Sequence, residues 1–163
     1  MKLDKAIEDV HEAESELATQ LRSVGERHAS EADLYHLGHT LARQCAEHAR
    51  RLAPFAERYG AAPPGGSGMT QSPSVLEALR RTGAKLIGKS EASGLLLLRD
   101  LRHLYLAAQN AEIAWVILLQ AARAVRDPEL IEAATECHEE AEARGKWVRT
   151  RIKESCPQVL ASG

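Results

Sequence analysis

The sequence predicts an all-α fold, a bundle of four long helices with one short helix between the second and the third. Three observations lead there. Alanine and leucine are abundant, whereas aromatics make up only 4% of the 163 residues. Apolar residues recur every three or four positions, and no stretch alternates with the strand period of two. The length suits one domain with a sizeable core, so residues 1–163 are expected to form a single unit.

The first helix is expected over residues 3–28. The second should begin after Ser30, with Asp33 three residues on as a variant capping box, and run to Tyr59 and Gly60. A connector rich in proline, glycine and serine follows at about residues 60–73, flexible by composition. Ser74 and Glu77 form a capping box for a short helix that fades near Gly83 to Gly88. The third helix should start near Ser90 and continue to about Arg126. Asp127-Pro128-Glu129 then opens the fourth: a side-chain acceptor at the cap, proline at the first helical position and an acid in the first turn. Pro157 is expected to stop it.

Loop lengths set the expected topology. Short links pair the first helix with the second, and the third with the fourth, as two antiparallel hairpins. The connection between the hairpins is roughly thirty residues long. A helix of about 28 residues is about 42 Å long, and about fourteen extended residues reach about 46 Å. The connection can therefore return along the whole bundle, which permits a long crossover in place of a simple up-and-down path.

Composition narrows the function classes. A formal net charge of −2 and the lack of a basic arm argue against a general nucleic-acid binder. The opening MKLDKAIEDV is charged and lacks the apolar core of a signal peptide, so a cytoplasmic protein is expected. Residues 104–122 approach membrane-span length but include Gln109, Asn110, Glu112 and Gln120, so they read as a buried helix rather than a span. Cys45, Cys137 and Cys156 are odd in number and lack metal-finger spacing, which suits a reducing compartment.

Helical wheels place polar groups inside apolar stripes. In the first helix Glu14 centres the row Leu3, Ile7, Val10, Leu17, Leu21, Val24. In the second, His48 and Cys45 lie among Leu34, Leu37, Leu41, Leu52, Phe55 and Tyr59. The third is apolar nearly all round, with Glu112 grouped with Leu98, Tyr105, Val116 and Leu119. The fourth runs Leu130, Ala134, Cys137, Ala141, Val148, Ile152, with Arg144 on one flank and His138 on the other. The mid-length groups should meet at one level of the bundle, and Glu112 is the more exacting case because a lone buried carboxylate costs several kcal/mol. A weak internal repeat supports this: eleven and fourteen residues after Leu34 come Cys45 and His48, and the same steps from Leu130 reach Ala141 and Arg144.

On these features the chain resembles the ferritin-like superfamily, and within it the small bacterial stress-associated proteins of the DUF892 (YciF-like) kind. The resemblance covers nearly the whole chain and rests on pattern. It implies a ferritin-like four-helix bundle with a di-iron or di-manganese centre, built from one Glu on each of two helices and Glu-x-x-His on the other two. Glu14 and Glu112 match the single glutamates and His48 one histidine. Cys45 stands where the glutamate paired with His48 would be, while Ala141 and Arg144 replace the second motif. That set is short of ligands for two metals, and an arginine neutralises carboxylates well.

Three readings follow for Glu112 and Glu14. Arg144 and His48 hold Glu112, and with it Glu14, in a buried polar network where an ancestor held metal. Alternatively Glu14, His48 and Glu112 bind a single iron, manganese or zinc ion with a redox or metal-handling role. Or the glutamates are solvated; for Glu14, in the acid-rich run HEAESE, that bland reading is at least as good. Cys45 and Cys137 read most simply as small apolar fillers.

GAKLIGKS at residues 83–90 matches the Walker A string, which would put Lys89 on phosphates and Ser90 on magnesium. The residues before it read as a basic helix instead of a strand, and no strand ending in an acid follows. A nucleotide site is therefore rejected. The expectation is a non-catalytic bundle with no cofactor, acting as an oligomeric or partner-binding protein. A homodimer through the third helix, with the short helix at 74–82, would cover an apolar surface that includes Ile113, Trp115, Ile117 and Leu118.

Overall fold

In the computed structural model the described residues are 2–63 and 91–161. They contain four helices: α1 Leu3–Arg27, α2 Ala32–Tyr59, α3 Glu91–Val125 and α4 Pro128–Leu160. The short helix expected at 74–82, most of the connector and GAKLIGKS lie outside the described residues. Among the described residues no helix is long and apolar enough to cross a membrane.

The α1 stripe from Leu3 to Val24 is buried as its spacing requires, Glu14 included. The expected capping box at the start of α2 does not form: Glu31 occupies the cap position and makes no side-chain cap bond. Both acids of that turn instead face α4, where Arg151 lies 3.3 Å from Glu31 and 3.3 Å from Asp33. At its other end α2 closes on Gly60 at φ +71°, a left-handed conformation that glycine adopts without penalty. The link from α3 to α4 is as expected, with an Asp127 carboxylate oxygen accepting the Leu130 N–H at 3.1 Å. Pro157 does not end α4, which continues to Leu160. It sits on the exposed side of the last turns, where a missing N–H costs little, and its carbonyl accepts the Ala161 N–H.

Contacts at the two ends define the path. At one end Arg27 and His28, closing α1, bond Asp100 near the start of α3. At the other, Arg58 and Tyr59, closing α2, bond Asp127 at the start of α4. Thus α2 finishes where α3 gives way to α4, while α3 begins at the opposite end beside the close of α1. The chain from Gly60 to Glu91 joins opposite ends, and α2 and α3 run in the same direction. The α1–α2 hairpin packs tightly: a Cβ on Gly38 would stand 2.9 Å from the Leu21 carbonyl oxygen. By contrast α2 and α4 meet mainly through long side chains, among them Arg51 with Glu136 and His48 with Glu140.

The core runs the length of the bundle. From α3 it takes Leu97, Leu101, Leu104, Ala108, Ala111, Trp115, Leu118 and Ala122, a row at alternating steps of three and four. Of the four residues expected on a surface covered by a partner, two lie elsewhere. Trp115 and Leu118 face inward, whereas Leu106, Ile113 and Ile117 are more than half exposed.

Candidate functional site

Halfway along the bundle, Glu14 of α1 carries a carboxylate only 1% exposed. Three helices saturate it. Arg144 of α4 reaches it with both ends of its guanidinium fork, Nη1 to Oε2 at 2.9 Å and Nη2 to Oε1 at 2.6 Å. Trp115 of α3 donates its indole N–H to Oε1 at 2.6 Å. His48 of α2 places Nδ1 3.0 Å from the same oxygen. On α2 and α4 the group is a polar residue near mid-length of the apolar row, His48 and Arg144, and on α3 it is the indole of Trp115 in the core row; the two hairpins bring those levels together.

The charges are matched in kind as well as place. Arginine presents two parallel N–H donors to a carboxylate, and tryptophan's N–H can only donate. Burial pushes the Glu14 carboxyl up. The bonds from His48 and Arg144, with the nearby positive charge, more than offset that and hold it down at about 2. Glu14 is therefore ionised throughout the physiological range. The other end of the His48 ring, Nε2, lies 2.8 Å from Glu140, a carboxylate 45% exposed. Both ring nitrogens thus face carboxylate oxygens, and both bonds form only when both nitrogens carry hydrogen. The ring also meets Trp115 edge-on, centroids 5.5 Å apart.

Cys45 sits beside this group and accepts from Arg144 Nη1 at 3.1 Å. Burial drives its thiol well above the usual range, and burial pushes Cys137 up to about 12. Both are protonated and unreactive at neutral pH, which fits the reading of apolar fillers.

Of the three residues expected to converge, Glu14 and His48 do and Glu112 does not. Glu112 keeps 25% of its side chain exposed, accepts from Gln109 Nε2 at 2.9 Å on its own helix, and lies 4.0 Å from His138. It shares a flank of α3 with half-buried Leu98, Tyr105 and Val116, one helical notch away from Trp115. Arg144, expected on a flank, is 2% exposed and pairs with Glu14. Sequence reasoning missed Trp115 as a donor and Glu140 as the outer partner of His48. Trp115 was findable, since a buried tryptophan needs an acceptor for its N–H.

The residues present do not suit a metal cage. Both Glu14 oxygens are engaged by protein donors, and a fixed guanidinium stands where a second cation would be repelled. Among the described residues, no three His, Cys, Asp or Glu side chains group so as to hold an ion. Comparison with protein-family models, with curated proteins and with solved structures found no match.

Proposed function

We propose that the chain is a ferritin-like bundle whose di-metal centre has been replaced by protein charge, and that it acts as a non-catalytic, oligomeric or partner-binding protein. The observation that carries this reading is Arg144 gripping buried Glu14 at 2.6 and 2.9 Å, at the mid-bundle level where carboxylates hold metal in that fold. Two hairpins whose connecting chain joins opposite ends of the bundle support the same reading. So does the chemistry. A carboxyl held at about 2 is too weak a base for catalysis near neutrality, and the adjacent thiol is protonated. The proposed assembly is a homodimer through α3, with exposed Leu95 and Leu106 in the interface.

Elemental analysis of protein purified without chelator, followed by equilibrium dialysis against Mn(II), Fe(II) and Zn(II), tests the reading. Metal well below one ion per chain is the expected result. Stoichiometric iron, manganese or zinc, lost in Glu14→Ala or His48→Ala, would establish a metalloprotein instead. Light scattering in dilute buffer should give the dimer mass, and a strict monomer would remove the dimer from the account.

A further inference from the structure

Along the outer face of α3, Leu95, Arg99, Arg102, Leu106, Ile113 and Ile117 follow one another at steps of four, three, four, seven and four residues, and all six are exposed. That is the spacing of a helix–helix seam. Its four apolar members are each more than half exposed, a sizeable row to leave in water. Charge along the seam is divided by sign. Arg99 and Arg102 stand in its first half, and Arg27 of α1, bonded to Asp100 at 2.7 Å, lies at the same end. In the second half Ile113 and Ile117 share a groove with Asp9, Glu12 and Glu16 of α1, and these three acids are exposed. One end of the face is therefore basic and the other acidic.

We infer that this face binds a second copy of the chain, with the two α3 helices antiparallel about a twofold axis beside Asn110. The inference rests on the homodimer proposed above and specifies its geometry. Under such an axis Leu106 of one copy lies level with Ile113 of the other. The same register sets Arg102 against Ile117, where its methylene stem covers the isoleucine. Asn110, exposed between Leu106 and Ile113, is a polar group at the axis of the kind that fixes register. A twofold axis lying across the helices also sets both α1 helices on one side of the seam. There the acids of one α1 approach Arg27 and Arg99 of the other copy, and symmetry makes each such contact twice. Parallel pairing is disfavoured on the same ground, since it would stack Arg99 and Arg102 on their own counterparts and the α1 acids on theirs.

Charge exchange between chains tests this. Arg99→Glu/Arg102→Glu and Glu12→Lys/Glu16→Lys each put like charges across both halves of the interface. Each should raise the dimer dissociation constant by on the order of tenfold or more in sedimentation equilibrium. All four positions are exposed, so helicity should be unchanged, which circular dichroism checks. Mixed together, the two variants should form a heterodimer at close to the unmodified affinity, because every charge contact between them is again of opposite sign. Direction is read separately, from spin labels on Gln120→Cys in a Cys156→Ser background. Labels about 32 Å apart are expected for the antiparallel pair; a separation of about 20 Å or less, as parallel neighbours would give, would overturn it. A dimer indifferent to the charge reversals, or variants that do not prefer each other, would overturn this arrangement and leave the proposed homodimer standing. An unmodified chain that stays monomeric would remove both.

Discussion

Replacing Arg144 by leucine removes both arms of the fork from Glu14 while keeping an apolar side chain in the space. Arg144 is 2% exposed and Glu14 1%, so little water reaches the carboxylate that remains. Two charge-assisted bonds are lost, at 2.9 and 2.6 Å, and such bonds contribute about 1.5–3 kcal/mol each. The remaining donors, Trp115 and His48, cannot balance the charge alone. Breaking a buried pair from one side costs about 3–5 kcal/mol, and that is the loss expected at pH 7. The variant's carboxylate can relieve the penalty by taking a proton, so the gap from the parent should narrow toward pH 4. Urea denaturation followed by far-ultraviolet circular dichroism measures both effects, with Arg149→Leu on the exposed side of α4 as the control. The double variant Glu14→Leu/Arg144→Leu should recover most of the loss, since apolar pairs replace buried ion pairs at little cost. A loss within about 0.5 kcal/mol, equal to that of the surface control, would refute the reasoning.

Acid should uncover the same group. The folded Glu14 carboxyl sits at about 2 against an ordinary 4.5. Its stabilisation is therefore complete above about pH 4.5 and is lost as pH falls toward 2. The difference amounts to about 3 kcal/mol; Glu14→Gln should flatten this part of a stability–pH profile, and an unchanged slope would contradict the assignment. Trp115→Phe keeps the ring but deletes the N–H that meets Glu14 at 2.6 Å. It should cost about 1.5–3 kcal/mol in denaturant midpoint analysis, and a negligible change would remove Trp115 from the network. Gly38→Ala should destabilise by about 1–2 kcal/mol, because the new methyl would press on the Leu21 carbonyl. Thermal denaturation showing a gain of about 1 kcal/mol, as helix propensity alone would give, would mean that α1 and α2 do not approach so closely.

The helices and their pairing were readable because amphipathic rows and loop lengths constrain them directly. Leu3 to Val24 in α1 and Leu130 to Val148 in α4 lie as their spacing requires. The site was legible only in part. On α1, α2 and α4 the apolar rows are narrow, so Glu14, His48 and Arg144 could be placed near the interior. On α3, leucine, isoleucine and valine occur on every side, which leaves the helical phase undetermined. Glu112 looked buried because its sequence neighbours are apolar, yet Ile113 beside it is more than half exposed. The inward row mixes small residues, Ala108, Ala111 and Ala122, with Leu101, Leu104, Trp115 and Leu118, so neither size nor hydrophobicity sets it apart from the outer faces. The Pro157 and Ser30 expectations failed for a different reason: exposed positions near helix ends tolerate a lost bond, and ion pairing with Arg151 competes for the acids of the α2 turn.

The central claim is that Arg144, Cys45 and Ala141 occupy the places of lost metal ligands, and putting ligands back tests it most directly. The combined variant Cys45→Glu/Ala141→Glu/Arg144→His restores a Glu-x-x-His spacing on both α2 and α4, opposite Glu14. Metal analysis after dialysis against Mn(II), with helicity checked on the same sample, should show binding in the variant and none of that stoichiometry in the parent. A folded variant that takes up no more metal than the parent would contradict the claim that protein charge replaced a metal centre there.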